Sequence, residues 1–274
     1  MNTAIVGFLA LASLTLPVHA ISIAAAGSAY TQNFDGLAVV SGSGMTWAND
    51  STLPGWSLFK QPVQGTAILN YSAGTGSIAT GGFYSFGSSG SNDRALGGLG
   101  VGAYFGSPAS NKLAGWMAVS FSNGSGGSLD GFQVSWEGEQ WRNGGNTSAQ
   151  TMVFEYGFGA NFIDVSIWEA PGGLFDFTSV VNITTAAAVD GNTTGLVAGR
   201  GGSVSSLSWA VADTLWLRWV EKNDNLNDHG LAIDNFSFTA SRPSAAVPDG
   251  GTTFALFGLS FAGLAGLRRK SAGK

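Results

Sequence analysis

Apolar and polar residues alternate strictly through several short stretches of this chain. Phe132, Val134 and Trp136 are separated by Gln133 and Ser135, and Met152, Phe154, Tyr156 and Phe158 repeat the pattern further on. Ile163, Val165 and Ile167 form a third run, and Leu215, Leu217 and Trp219 a fourth. Successive side chains of a strand point to opposite faces, so each run reads as a strand with one buried face. Less regular β-prone runs at residues 30–34, 56–59, 67–71, 78–83 and 116–121 add earlier strands. Residues 122–128 and 142–148 are Gly-, Asn- and Ser-rich turn chemistry. Only residues 184–189, stopped by Asp190 and Gly191, read as a short helix. Many short strands without alternating helices predict an all-β fold, a two-sheet sandwich of jelly-roll type.

Two longer apolar stretches stand outside this pattern. Residues 4–16 followed by Pro17, Val18, His19 and Ala20 read as a secretory signal over residues 1–20, cut by signal peptidase, although no Lys or Arg stands near Met1. At the other end, Val247-Pro248-Asp249-Gly250-Gly251 leads into an uncharged apolar run at residues 254–267, which stops at Arg268, Arg269 and Lys270. As a helix, residues 250–267 would cover about 27 Å, close to the ~30 Å hydrocarbon core. The basic cluster would stay in the cytoplasm and leave the body outside. The chain thus divides into a signal at 1–20, a sandwich domain at 21–241, a linker at 242–246 and a tail at 247–274.

The order of motif, membrane segment and basic stop resembles the PEP-CTERM sorting signal of Gram-negative bacteria, here in a Val-Pro-Asp-Gly-Gly variant. The resemblance implies recognition by an exosortase, a membrane-embedded cysteine protease. It also implies a transient inner-membrane anchor and delivery to the cell surface, outer membrane or extracellular polysaccharide matrix. Within the body, Glu139-Gln140-Trp141-Arg142, residues 215–219 and residues 228–234 resemble a secreted bacterial β-sandwich domain. That domain occurs alone in PEP-CTERM proteins and beside catalytic domains in extracellular nuclease-type proteins. It brings architecture and no catalytic role.

Composition narrows the chemistry. Forty-two glycines would suit disorder, but 18 Phe, 9 Trp and 5 Tyr supply the apolar surface that a folded core needs. The body carries 16 of the 17 acidic residues and 8 of the 12 basic ones, a net charge of −8. Phosphate binding needs clustered Lys and Arg, which argues against nucleic acid as a partner of the body. No cysteine is present, which rules out disulfides, thiol catalysis and cysteine-ligated zinc.

Four groups of residues could carry chemistry. His229 is the body's sole histidine, and a Ser-His-Asp triad around it, with Asp228 or Asp234, finds no nucleophile elbow. Glu137 and Glu139, at i and i+2 on a strand, project from one face roughly 6.6 Å apart, near Trp136 and Trp141. Such a pair is what a glycosidase needs, and the plainer alternative is two solvent-facing acids, one paired to Arg142. The Asx-rich stretch at residues 223–228, with Asp224 and Asp228, joins Asp234 and Asp35 as candidate Ca²⁺ ligands; the alternative is a self-bonded hairpin loop. Asp234 shares strand parity with Phe236 and Phe238. Either a bulge turns it outward or it is buried with Arg218 or Ca²⁺ as partner. Last, Trp141, Trp168 and Trp216, with Trp56, are the tryptophans placed to face outward and stack on sugar rings, while Trp136 and Trp219 fall on the core side.

The expectation is an exported, surface- or matrix-displayed sandwich, non-catalytic and associated with exopolysaccharide. A secreted polysaccharide hydrolase using Glu137 and Glu139 and a purely structural matrix protein are the alternatives.

Overall fold

The computed structural model describes residues 20–61, 63–102 and 115–242. The expected signal peptide, the sorting motif, the basic stop and the apolar span at 254–267 lie outside the described residues, among which no helix is long and apolar enough to cross a membrane.

In chain order the strands are β1 (Ile21–Ile23), β2 (Ala29–Gln32), β3 (Gly42–Thr46), β4 (Trp56–Lys60), β5 (Thr66–Ala67), β6 (Asn70–Gly74), β7 (Gly82–Phe86) and β8 (Ala95–Leu99). They continue as β9 (Gly115–Asn123), β10 (Gly131–Asn143), β11 (Thr151–Phe158), β12 (Phe177–Thr178), β13 (Ala187–Ala188), β14 (Leu196–Val204), β15 (Thr214–Glu221) and β16 (Gly230–Ser241). One sheet runs β12-β11-β15-β9-β4-β5, with β1 on β9. The other runs β13-β10-β16-β8-β7-β6-β3, with β14 on β10 and β2 on β16. From β8 to β11, and again from β14 to β16, the chain changes sheet at every step. The two sheets form a sandwich, as the alternating runs predict.

The inner faces meet in a core built on aromatic rings. Trp219 stacks on Trp56 at 5.6 Å and meets Trp136, Phe154 and Phe236 edge-on at 5.8, 5.4 and 5.5 Å. Edge-to-face pairs at these separations each add about 0.5–1.5 kcal/mol beyond area burial. Trp136 and Trp219 are therefore inward, as their parity requires.

Both outer faces are also covered. On the first sheet, Phe59, Trp116, Val220 and Trp216 pack under Phe162 and Val165. Those two residues belong to a run expected to be a strand. Instead Phe162–Asp164 is a 3-10 helix and residues 165–168 are irregular, leaving Ile163 and Ile167 exposed. Three alternating positions satisfy a cover with one inward residue as well as a strand. On the second sheet, Tyr84, Phe86, Ala95, Leu99, Trp141 and Ala232 form the outer cluster.

Two further expectations are corrected. Residues 184–189 are not a helix: Ala187–Ala188 pairs with Asn143 and Arg142 at the sheet edge. The run at 78–83 becomes a strand only from Gly82, with Ile78 exposed. The β8 strand lies in the sheet centre, yet its sequence Ala-Leu-Gly-Gly-Leu has no alternation. A Cβ at Gly97 would stand 2.2 Å from the Leu231 carbonyl oxygen, so close approach of β8 to β16 requires glycine there.

Candidate functional site

Strands β10 and β16 carry the core and the acidic residues on the same backbones. In β10 the inward residues are Phe132, Val134 and Trp136; in β16 they are Leu231 and Ile233, then Phe236, Phe238 and Ala240. The change of parity in β16 comes from a bulge. Ser135 pairs with Ser237 but Glu137 pairs with Asp234, so β16 holds one extra residue, and Asn235 takes a φ of 47° to accommodate it. The bulge turns Asp234 away from the main core, to the face that carries Glu137 and Glu139. One carboxylate oxygen from each of Glu137, Glu139 and Asp234 lies within 4.8 Å of the others.

These acids are not at an open surface. Glu139 and Asp234 are each only 2 % exposed, and Glu137 is half-buried. The Trp141 indole N–H donates to Glu139 Oε2 at 2.7 Å, and Asn235 Nδ2 donates to Glu137 Oε2 at 2.8 Å. Asp234 Oδ1 has no hydrogen-bond partner. Burial pushes the Glu139 carboxyl up to about 7, against the indole bond and with help from the charges of Asp93, Glu137 and Asp190. Burial likewise pushes Asp234 up to about 8, opposed by the Asn235 backbone N–H and reinforced by Glu139, Asp93 and Asp35.

Arg142, Arg94 and Arg218 are each engaged away from this cluster. Arg142 donates Nη1 to the carbonyls of Gly76 and Ser77, so the expected pairing with Glu137 or Glu139 is not made. The Arg94 guanidinium is engaged by Ser85, while its backbone N–H holds Asp35 at 3.1 Å. Arg218 was a candidate partner for Asp234 but belongs to the other sheet, where it pairs with Glu155 at 2.5 Å.

The four proposed calcium ligands do not form one site. The Asp35 charge reaches Asp234, but Asp224 and Asp228 close their own loop, the Asp224 N–H donating to Asp228 Oδ1 at 2.6 Å. That loop borders a cavity of about 370 Å³ lined in part by Gly100, Arg142 and Asn227. His229, next along the chain, is fully buried. Its Nδ1 accepts the Gly144 N–H at 3.0 Å and its Nε2 faces the Ser148 carbonyl at 3.3 Å, so it is a backbone clamp with no free nitrogen for general-base work.

The outward-facing tryptophans are corrected in turn. Trp56 and Trp216 are 0 % exposed and Trp141 is 2 % exposed. Trp216 does point away from the main core, but the chain at 159–168 roofs that face and the Gly159 carbonyl takes its indole N–H at 3.1 Å. Trp141 is closed over by Gly191, where any Cβ would stand 2.3 Å from the indole. Trp168 is half-buried, with the Arg218 guanidinium 3.8 Å above its ring.

Two aromatic side chains that reach a groove are Tyr156 and Phe158. The alternation of β11 was read as uniformly inward, and Met152 and Phe154 are indeed at 0 %, but Tyr156 and Phe158 are half-buried. They line an open groove of about 400 Å³ with Ile167, Glu169, Ser206 and Ser208. Its mixture of ring faces, hydroxyls and one carboxylate suits stacking on, and hydrogen bonding to, a polyhydroxylated ligand. No signal in the sequence marked Tyr156 and Phe158: Gly157 between them packs tightly under residues 165–167, where a Cβ would stand 2.4 Å from the Val165 side chain.

Comparison with known families matches residues 246–271 to the VPDSG-CTERM motif. No curated protein matches. Among solved structures the chain is similar to the CBM22-1 xylan-binding domain from Paenibacillus barcinonensis Xyn10C, at 10 % identity and a TM-score of 0.37, over 81 % of this chain and 100 % of that one. The C-terminal motif is a PEP-CTERM-like sorting tail and indicates export and surface display.

Proposed function

We propose that this protein is exported, sorted by an exosortase-type system to the cell surface or its matrix, and held there as a non-catalytic β-sandwich that associates with extracellular polysaccharide. The observation that carries the reading is the sorting motif at residues 246–271, behind an acidic body without cysteine. The basic stop and apolar span would anchor the chain in the inner membrane until the tail is processed. Intact mass of the exported form is expected to end near Val247; a surface form that retains Arg268, Arg269 and Lys270 contradicts processing.

Burial of the acid pair supports a non-catalytic role. A glycosidase acid must reach the glycosidic oxygen and its partner the sugar carbon, but Glu139 is 2 % exposed and tied to Trp141. For the polysaccharide we favour the Tyr156–Phe158 groove over the buried tryptophans. Tyr156→Ala should weaken retention on polymer several-fold while leaving the fold intact, because Tyr156 lies at the margin of the core. Unchanged retention in that variant would remove the groove.

A further inference from the structure

We infer that Glu137, Glu139 and Asp234 form a cation site of the Ca²⁺ class, tying β10 to β16 across the bulge at Asn235. Three carboxylates from two paired strands converge on one point, and an isolated acidic cluster would say little. The second observation is Asp234 itself: 2 % exposed, facing its two partners, with Oδ1 accepting no hydrogen bond. A buried carboxylate oxygen without a donor costs the full desolvation of that atom unless a cation or a proton meets it. Among the described residues, Arg94 is turned to Ser85 and Arg142 to Gly76 and Ser77. What lies nearby is more negative charge, from Asp35, Asp93 and Asp190.

The donor set selects the ion. Every ligand atom is a hard oxygen, and neither imidazole nor thiolate is present, which disfavours zinc and copper. Two oxygens bound to one Ca²⁺ at 2.3–2.6 Å can stand up to about 5 Å apart. The 4.8 Å spread of Glu137, Glu139 and Asp234 fits that span without movement of the strands. One oxygen of Glu139 is already fixed by the Trp141 indole and one of Glu137 by Asn235, so the site is oriented by its own neighbours. Three carboxylates supply fewer than the six to eight oxygens that Ca²⁺ takes, and carbonyls or water complete the shell. This site differs from the Asn223–Asp228 loop, where Asp228 Oδ1 accepts the Asp224 backbone N–H.

The test uses the full exported chain, stripped with chelator and titrated with Ca²⁺, Mg²⁺ or Tb³⁺. Ca²⁺ should raise the melting temperature saturably and more than Mg²⁺ at equal concentration. Tb³⁺ should luminesce on tryptophan excitation, since Trp141 touches a ligand, and Ca²⁺ should displace it. Asp234→Asn and Glu139→Gln should each lose at least tenfold in Ca²⁺ affinity, whereas Asp224→Asn should keep it. The two ligand variants replace a buried acid by a neutral side chain of the same shape, so they are expected to fold. The inference is overturned if the stripped wild-type chain shows no Ca²⁺ shift and no Tb³⁺ signal, the outcome of acids that merely share protons. It is equally overturned if Asp234→Asn keeps the shift or if Asp224→Asn abolishes it.

Discussion

Replacing Glu155 by Gln isolates a buried ion pair of the first sheet. Arg218 is 4 % exposed, donates Nε and Nη2 to a single Glu155 oxygen at 2.6 and 2.5 Å, and lies 3.8 Å over the Trp168 ring. Burial pulls the guanidinium down to about 10, and Glu155 opposes that fall. At an effective dielectric of about 20, unit charges about 4 Å apart attract by about 4 kcal/mol. Glutamine keeps one acceptor and leaves the cation uncompensated, so the expected loss is about 3 kcal/mol, at the lower end of what breaking a buried pair costs. In a body of this size that loss lowers the melting temperature by about 6–12 °C. Urea unfolding at neutral pH reads the same difference as a shift of midpoint with an unchanged slope. Changing both partners together, Glu155→Leu with Arg218→Met, should recover most of the loss, because no charge is then stranded. A loss below about 1 kcal/mol for Glu155→Gln would show that Arg218 is solvated past Trp168, and the account of that covered face would fail.

Two further predictions follow from close packing and from burial. Gly97→Ala should cost at least about 2 kcal/mol in urea unfolding, because its Cβ meets the Leu231 carbonyl at 2.2 Å; Gly90→Ala, with open space at φ 77°, separates strain from crowding by costing less. Asp228 is raised to about 7, chiefly by burial, so the folded chain keeps a proton that the unfolded chain releases near pH 4. That contribution is full below about pH 4 and is lost as pH rises to about 7. Asp228→Asn keeps the acceptor for the Asp224 N–H, should flatten the melting profile across that window, and should gain about 1–2 kcal/mol at pH 8 after solvent screening.

Periodicity made the central strands readable and left their covers obscure. Phe132, Val134, Trp136, Leu215, Leu217 and Trp219 are all inward, because a strand's parity is enforced wherever one face is buried. The same reasoning placed Trp216 opposite Leu215 correctly, but inferred solvent where residues 159–168 lie. The misreading of that segment as a strand and the expectation of an exposed Trp216 are one error, since the cover is made by Phe162 and Val165 themselves. Strands β8 and β14 were missed because glycine carries no hydrophobic signal, although Gly97 and Gly201 sit where backbone approaches backbone. The acidic site was half legible. Glu137 and Glu139 were paired from their spacing, and the anomaly at Asp234 was visible in its parity with Phe236. Their meeting depends on cross-strand register and on one left-handed residue, Asn235, neither of which a single strand encodes.

The central claim is a sorted, non-catalytic surface protein that holds polysaccharide. It is tested most directly by incubating the purified exported protein with polysaccharide extracted from the producing cells, following bound protein and polymer mass together. Saturable retention at constant polymer mass, weakened by Tyr156→Ala, is the predicted result. A fall in polymer mass would instead make Glu137 and Glu139 catalysts despite their burial, and absence of retention would leave a structural matrix protein without a glycan partner; either contradicts the account.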